Sequence, residues 1–181
     1  MQRASRFLVT IAVSTLVLAA CGRREGPPAP PRPVPVPTTP KVVDRPLITT
    51  SYVATSASMD LYNIRAGELA GQRSTNGRVR AYAAKLVEDH RGTAAQLSFA
   101  GRRLNLLPAA DMAPPHRAMF DELAAASDFD STFIRQQRSL HQQAARMHAA
   151  FAISGDSPTL RPVAANAAGV EHDHIYQLGG L

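Results

Sequence analysis

From residue 49 onward, apolar side chains recur at spacings of three and four, and the alternation of a half-buried strand is absent. That rhythm predicts helices. The first runs from about 49 to 73, with Met59, Asn63, Ala66 and Ala70 in one row, and is broken by Ser74, Thr75, Asn76 and Gly77. The second runs to about Leu104 and presents Val79, Tyr82, Ala83, Leu86, His90, Ala94, Leu97 and Gly101 on one face. Residues 105–127 form a connection in which the prolines of "MAPPHRAMFDELAAA" open a short helix. The third long helix, capped by Ser127 or Asp128, lasts to about Ser154. In "GDSP", Gly155 ends that helix, Asp156 or Ser157 caps the next, and Pro158 occupies its first turn; the last helix reaches about Leu178.

Four long helices of roughly 20 to 30 residues can bury these stripes as a four-helix bundle. The long middle connection suits a crossover, which makes the expected fold all-α and ferritin-like, up-down-down-up, with a short extra helix in that connection.

Every long helix carries a polar side chain on its inward face: Asn63, His90, His141 (between Gln137, Ala144 and His148) and His174 (in line with Ala167, Val170 and Leu178). At a rise of 1.5 Å per residue, Asn63 and His90 lie about 16 and 22 Å either side of the first turn. His141 and His174 lie about 22 and 25 Å either side of "GDSP". One layer can hold all four. A di-iron bundle wants Glu-x-x-His on two helices and a glutamate on each of the others. Only Glu171 to His174 has that spacing, because Val87 and Arg138 stand three residues before His90 and His141. Glu88 and Asp89 point roughly 200° and 100° away from His90 and read as surface charges. The layer is therefore expected to be a hydrogen-bonded network of Asn63, His90, His141 and His174, with Gln137, and to hold no cofactor. The alternative is a ferritin-like iron or zinc protein linked to oxidative stress, with His90, His141, His174 and Glu171 as ligands. His148 reads as incidental and partly buried, and His116 and His172 as solvated. No nucleophile pairing, phosphate loop or cysteine cluster suggests catalysis.

Composition adds an address. Arg3 and Arg6 precede an apolar run from Phe7 to Ala20, too short to span a bilayer comfortably, and the pattern reads as a signal peptide over residues 1–20. Its end, Leu18-Ala19-Ala20-Cys21, resembles the bacterial lipoprotein signal. That resemblance implies lipidation of Cys21 and, since Gly22 is not aspartate, an outer-membrane protein facing the periplasm. Residues 22–48 hold nine of the 14 prolines and read as a stalk that spans about 80 Å when fully extended as polyproline II. Of the 20 Lys and Arg residues, 13 lie from residue 49 onward, against 12 acidic residues. The basic excess thus sits in the leader and stalk, beside a membrane surface, and nucleic acid is not an expected partner.

"LYNIRAGELA", "VRAYAAKLVEDH", "FDSTFIRQQRSLH" and "GDSPTLRPVAANAAGVEHDH" are similar, in order and spacing, to the bacterial domain of unknown function family 4142. The resemblance covers about residues 49–178 and implies a secreted or membrane-associated ferritin-like bundle. His90 after Asp89, His141 and His174 fall on family motif positions. Asn63 stands where members often carry glutamate, and Gly169 where they carry proline. These features suggest a non-enzymatic binding or envelope-maintenance role, its protein partner or small ligand left open.

Overall fold

The computed structural model describes residues 48–181. The expected signal peptide, Cys21 and all but the last residue of the stalk lie outside the described residues. Five helices are present: α1 (Thr49–Arg73), α2 (Gly77–Arg102), α3 (Pro114–Ala125), α4 (Phe129–Ser154) and α5 (Arg161–Leu178). No strand occurs among the described residues, as the hydrophobic rhythm predicts. None of their helices is long and apolar enough to cross a membrane.

Local chemistry explains most boundaries. The Asn76 side chain accepts from the Arg78 N–H and opens α2. Asp128 does the same for α4, accepting from the Ser131 N–H. Helix α2 stops at Arg102, two residues short of expectation, because the N–H groups of Leu104 and Leu106 both fold back to the Gly101 carbonyl. Asn105 turns through a left-handed φ of 55° to allow this. A Cβ at position 101 would meet the Leu106 carbonyl oxygen at 2.3 Å, so the turn needs glycine there.

The start of α5 corrects the sequence reading. Residues 158–160 form a turn, and the helix begins at Arg161 with Pro162 in its first turn and no side-chain cap. Pro162 has no N–H with which to reach the carbonyl of residue 158, so a helix starting at Pro158 would place a break in its own second turn. The turn also seats Leu160, which is fully buried. Asp156, freed from α5, accepts instead from the backbone N–H and the hydroxyl of Thr49 and caps α1 across the molecule.

Helix α1 pairs with α2 and α4 with α5; α1 also lies beside α4, and α2 beside α5. Three contacts give the directions. Thr49 at the start of α1 meets Asp156 beyond the end of α4, and Arg73 at the end of α1 covers the Phe129 ring at the start of α4. Arg78 at the start of α2 bonds the Gly180 carbonyl just past α5. The order is up-down-down-up, with α3 crossing over α1 and α4. One apolar cluster, around Tyr62, Leu86, Phe133 and Leu140, fills the end near the α1–α2 turn; another, around Tyr52, Leu97, Phe151 and Leu160, fills the opposite end. Gly67 brings α1 and α2 close together, since a Cβ there would lie 2.7 Å from the Val87 side chain. The polar layer sits where the two clusters meet.

Candidate functional site

Asn63, His90, His141 and His174 all face inward and are completely enclosed. They do not form the expected network with one another. Instead the three imidazoles lie nearly parallel, with centroids 5.6 Å (His90–His141), 5.3 Å (His90–His174) and 4.8 Å (His141–His174) apart. The polar atoms of Asn63 and Gln137 have no hydrogen-bond partner among the described residues. The hydrogen-bond partners of His90 and His141 are carboxylates and a phenol on other helices.

His90 Nδ1 lies 2.8 Å from Asp60 Oδ1, which also accepts from the Thr93 hydroxyl at 2.8 Å. His141 is held at both nitrogens: Nε2 is 2.9 Å from the Tyr82 hydroxyl, and Nδ1 bonds Glu171 Oε2. The other Glu171 oxygen lies 3.8 Å from His148 Nε2, whose ring bonds the Tyr52 hydroxyl through Nδ1 at 2.9 Å. His148 is therefore buried and bonded, contrary to its reading as incidental. Nor is Asp89 a plain surface charge. Its carboxylate bridges toward Lys85 Nζ at 2.8 Å on the solvent side and His174 Nε2 at 3.2 Å on the inner side. The latter pair is close but not aligned as a hydrogen bond. His116 is half-buried, its Nδ1 2.6 Å from the Ser58 hydroxyl, because α3 lies flat against α1. His172 and Glu88 are exposed, as expected.

Burial governs the electrostatics. It pushes Glu171 up to about 7, against the pull of His90 and His148. It pushes His174 down to about 3, with the neighbouring His141 and His90 adding to the shift. Burial and the His90 charge lower His141 well below the imidazole range, and burial lowers His148 too. His90 alone moves the other way: burial opposes its charged form, but the Asp60 hydrogen bond and the charges of Glu171, Asp60 and Asp89 outweigh it. The layer thus keeps His141, His148 and His174 neutral, the form in which imidazole binds metal, while His90 favours its charged form until a ligand takes the proton's place.

One set of donors converges. A nitrogen of His90, a nitrogen of His141 and a carboxylate oxygen of Glu171 all lie within 4.8 Å of one another, on α2, α4 and α5. His174, expected alongside them, stands just outside that set. Sequence reasoning missed Asp60, Tyr82 and Tyr52 as partners. Asp60 had a signal: it stands three residues before Asn63, so it shares that residue's side of α1.

The fold has solved counterparts. CopM in its Cu(II)-bound form is similar with a TM-score of 0.63 at 20% identity, over 75% of this chain and 96% of that one. CopM in its apo form gives 0.61 at 19% identity, over 74% and 95%. A DUF305 fragment from Deinococcus radiodurans gives 0.58 at 20% identity, over 75% and 97%. At these identities the likeness is one of fold. No curated protein matches the chain. The family does: residues 37–181, the whole bundle included, match the pattern of the Domain of unknown function (DUF4142), and the chain belongs to that family.

Proposed function

We propose that this bundle is a non-enzymatic metal-binding module, holding one divalent transition-metal ion on His90, His141 and Glu171, and that Cys21 tethers it to the outer membrane facing the periplasm. The observation that carries the reading is the convergence of those three buried donors from three helices within 4.8 Å. The expectation of a hydrogen-bonded layer without metal rested on a shortage of carboxylates; Glu171 was already counted there, and Asp60 adds a second buried carboxylate inside the core.

The residues fit an ion on further grounds. His90 Nε2 has no hydrogen-bond partner among the described residues, while its Nδ1 points at Asp60. Ligating histidines are oriented in this way, with the far nitrogen donating to a carboxylate. His141 can ligate through Nδ1 beside Glu171 while Tyr82 holds Nε2. With metal–nitrogen bonds of about 2.0–2.1 Å, two ligating rings keep their centroids about 5 to 5.5 Å apart, close to the 5.6 Å between His90 and His141. Two imidazoles and a carboxylate suit zinc, iron(II) or copper(II). CopM, whose fold is similar, is known in Cu(II)-, Cu(I)- and Ag-bound forms, which supports testing copper beside zinc and iron. A bound ion would tie α2, α4 and α5 together and stabilise the folded state by mass action.

Elemental analysis and melting of the purified chain test this. One equivalent of metal is expected, with a melting temperature that falls on chelation and recovers with a single metal; His90→Ala should abolish the recovery. No metal and no chelator effect would return the layer to a purely structural network.

A further inference from the structure

Asp60 and Glu171 are sealed, with side chains only 6% and 3% exposed, whereas the Asp89 side chain is 21% exposed. Asp89 is thus the carboxylate of this layer that solvent reaches. Resting on the reading just given, we propose that Asp89 and His174 form an outer metal-binding position through which a divalent transition-metal ion passes to His90, His141 and Glu171.

His174 is completely enclosed, yet neither of its nitrogens has a hydrogen-bond partner among the described residues. Its Nε2 and Asp89 Oδ2 stand 3.2 Å apart and out of hydrogen-bond alignment. Two ligands that each lie about 2.0–2.2 Å from one ion keep about that separation. The position faces both ways. Outward, Lys85 pairs with Asp89 across one helical turn and is itself half-exposed. Exposed pairs of this kind are weak, so an arriving cation displaces the ammonium readily. Inward, the His174 ring lies 4.8 Å from that of His141 and 5.3 Å from that of His90, one ligand exchange from the inner donors. Tyr82 stands edge-on against His174 and keeps it in place, its centroid 5.5 Å away.

The test is the rate at which the full, metal-free chain takes up zinc from a fluorescent zinc indicator. Asp89→Asn should slow uptake and release together by about tenfold, leaving one equivalent bound at equilibrium, while Lys85→Gln should speed uptake. Glu88→Gln removes the same charge from the adjacent exposed position and should change the rate less than twofold. Equal slowing by Glu88→Gln would overturn the proposal in favour of general charge attraction. So would unchanged rates in both the Asp89 and Lys85 variants. Loss of the bound equivalent in Asp89→Asn would also overturn it, because Asp89 would then belong to the resident site. Failure of the wild-type chain to bind any zinc, copper or iron would instead overturn the metal reading itself, and this inference with it.

Discussion

A buried imidazole needs a partner at each nitrogen, since an unmet polar group in a core costs on the order of 1–3 kcal/mol. His90 meets half of that need through Asp60, and Asp60 in turn holds the Thr93 hydroxyl. Asp60→Ala should therefore cost about 1–3 kcal/mol in urea denaturation and lower metal affinity roughly 10- to 100-fold in a competition titration. Asp60→Asn, which keeps one acceptor oxygen, should fall between the two. A full loss of stability with unchanged affinity would make Asp60 a structural residue only. Asp60 also shows why the site was half legible in the sequence. The inward histidines could be read from helical spacing, because a helix fixes which positions share a face. Their partners could not, because Tyr82 reaching His141 and Asp60 reaching His90 depend on which helices are neighbours and how closely they pack. The Gly67 contact between α1 and α2 is one such detail that spacing alone does not reveal.

Helix ends depend on single side chains, and here one end is set from outside its own element. Asp156 accepts from the first N–H of α1 although it lies 107 residues away. Asp156→Ala should cost about 0.5–2 kcal/mol, the range of a lost N-cap, and should raise hydrogen exchange in the first turn of α1 rather than in α5. The sequence supported the opposite assignment, because a cap is recognised by proximity along the chain and Pro158 looked like a first-turn proline. The five helices, by contrast, were readable to within about two residues at most ends, since Asn76, Asp128 and Gly155 act locally. Helix α3 offers a pH test. Burial lowers the pKa of His116, so the folded state binds its proton less readily than the unfolded chain does. Stability from this group is complete above about pH 6.5 and declines as pH falls through the lowered folded value. Wild type should thus lose stability relative to His116→Gln between pH 7 and pH 5. A constant difference would mean that His116 titrates alike in both states.

At the scale of the whole molecule, the folded part is nearly neutral and the basic excess lies ahead of it, with Arg23, Arg24, Arg32, Lys41 and Arg45 among the prolines of residues 22–48. That division suits the proposed tether, since a basic segment next to Cys21 would favour an anionic membrane surface. The 27 residues from 22 to 48 carry few groups able to join a core, so deleting them should shift the bundle's melting temperature by no more than a degree or two. A larger drop would mean that the segment packs on the helices. The proposed attachment depends on one atom. Cys21 is the only cysteine in the sequence, and a thioether to diacylglycerol can form nowhere else. Cys21→Ser should abolish incorporation of labelled palmitate and leave an unprocessed precursor, while zinc uptake by the bundle stays unchanged, because every proposed ligand lies from Asp89 onward. Label retained by the serine variant would place the anchor elsewhere, and loss of zinc uptake along with the label would mean that tether and metal site are coupled.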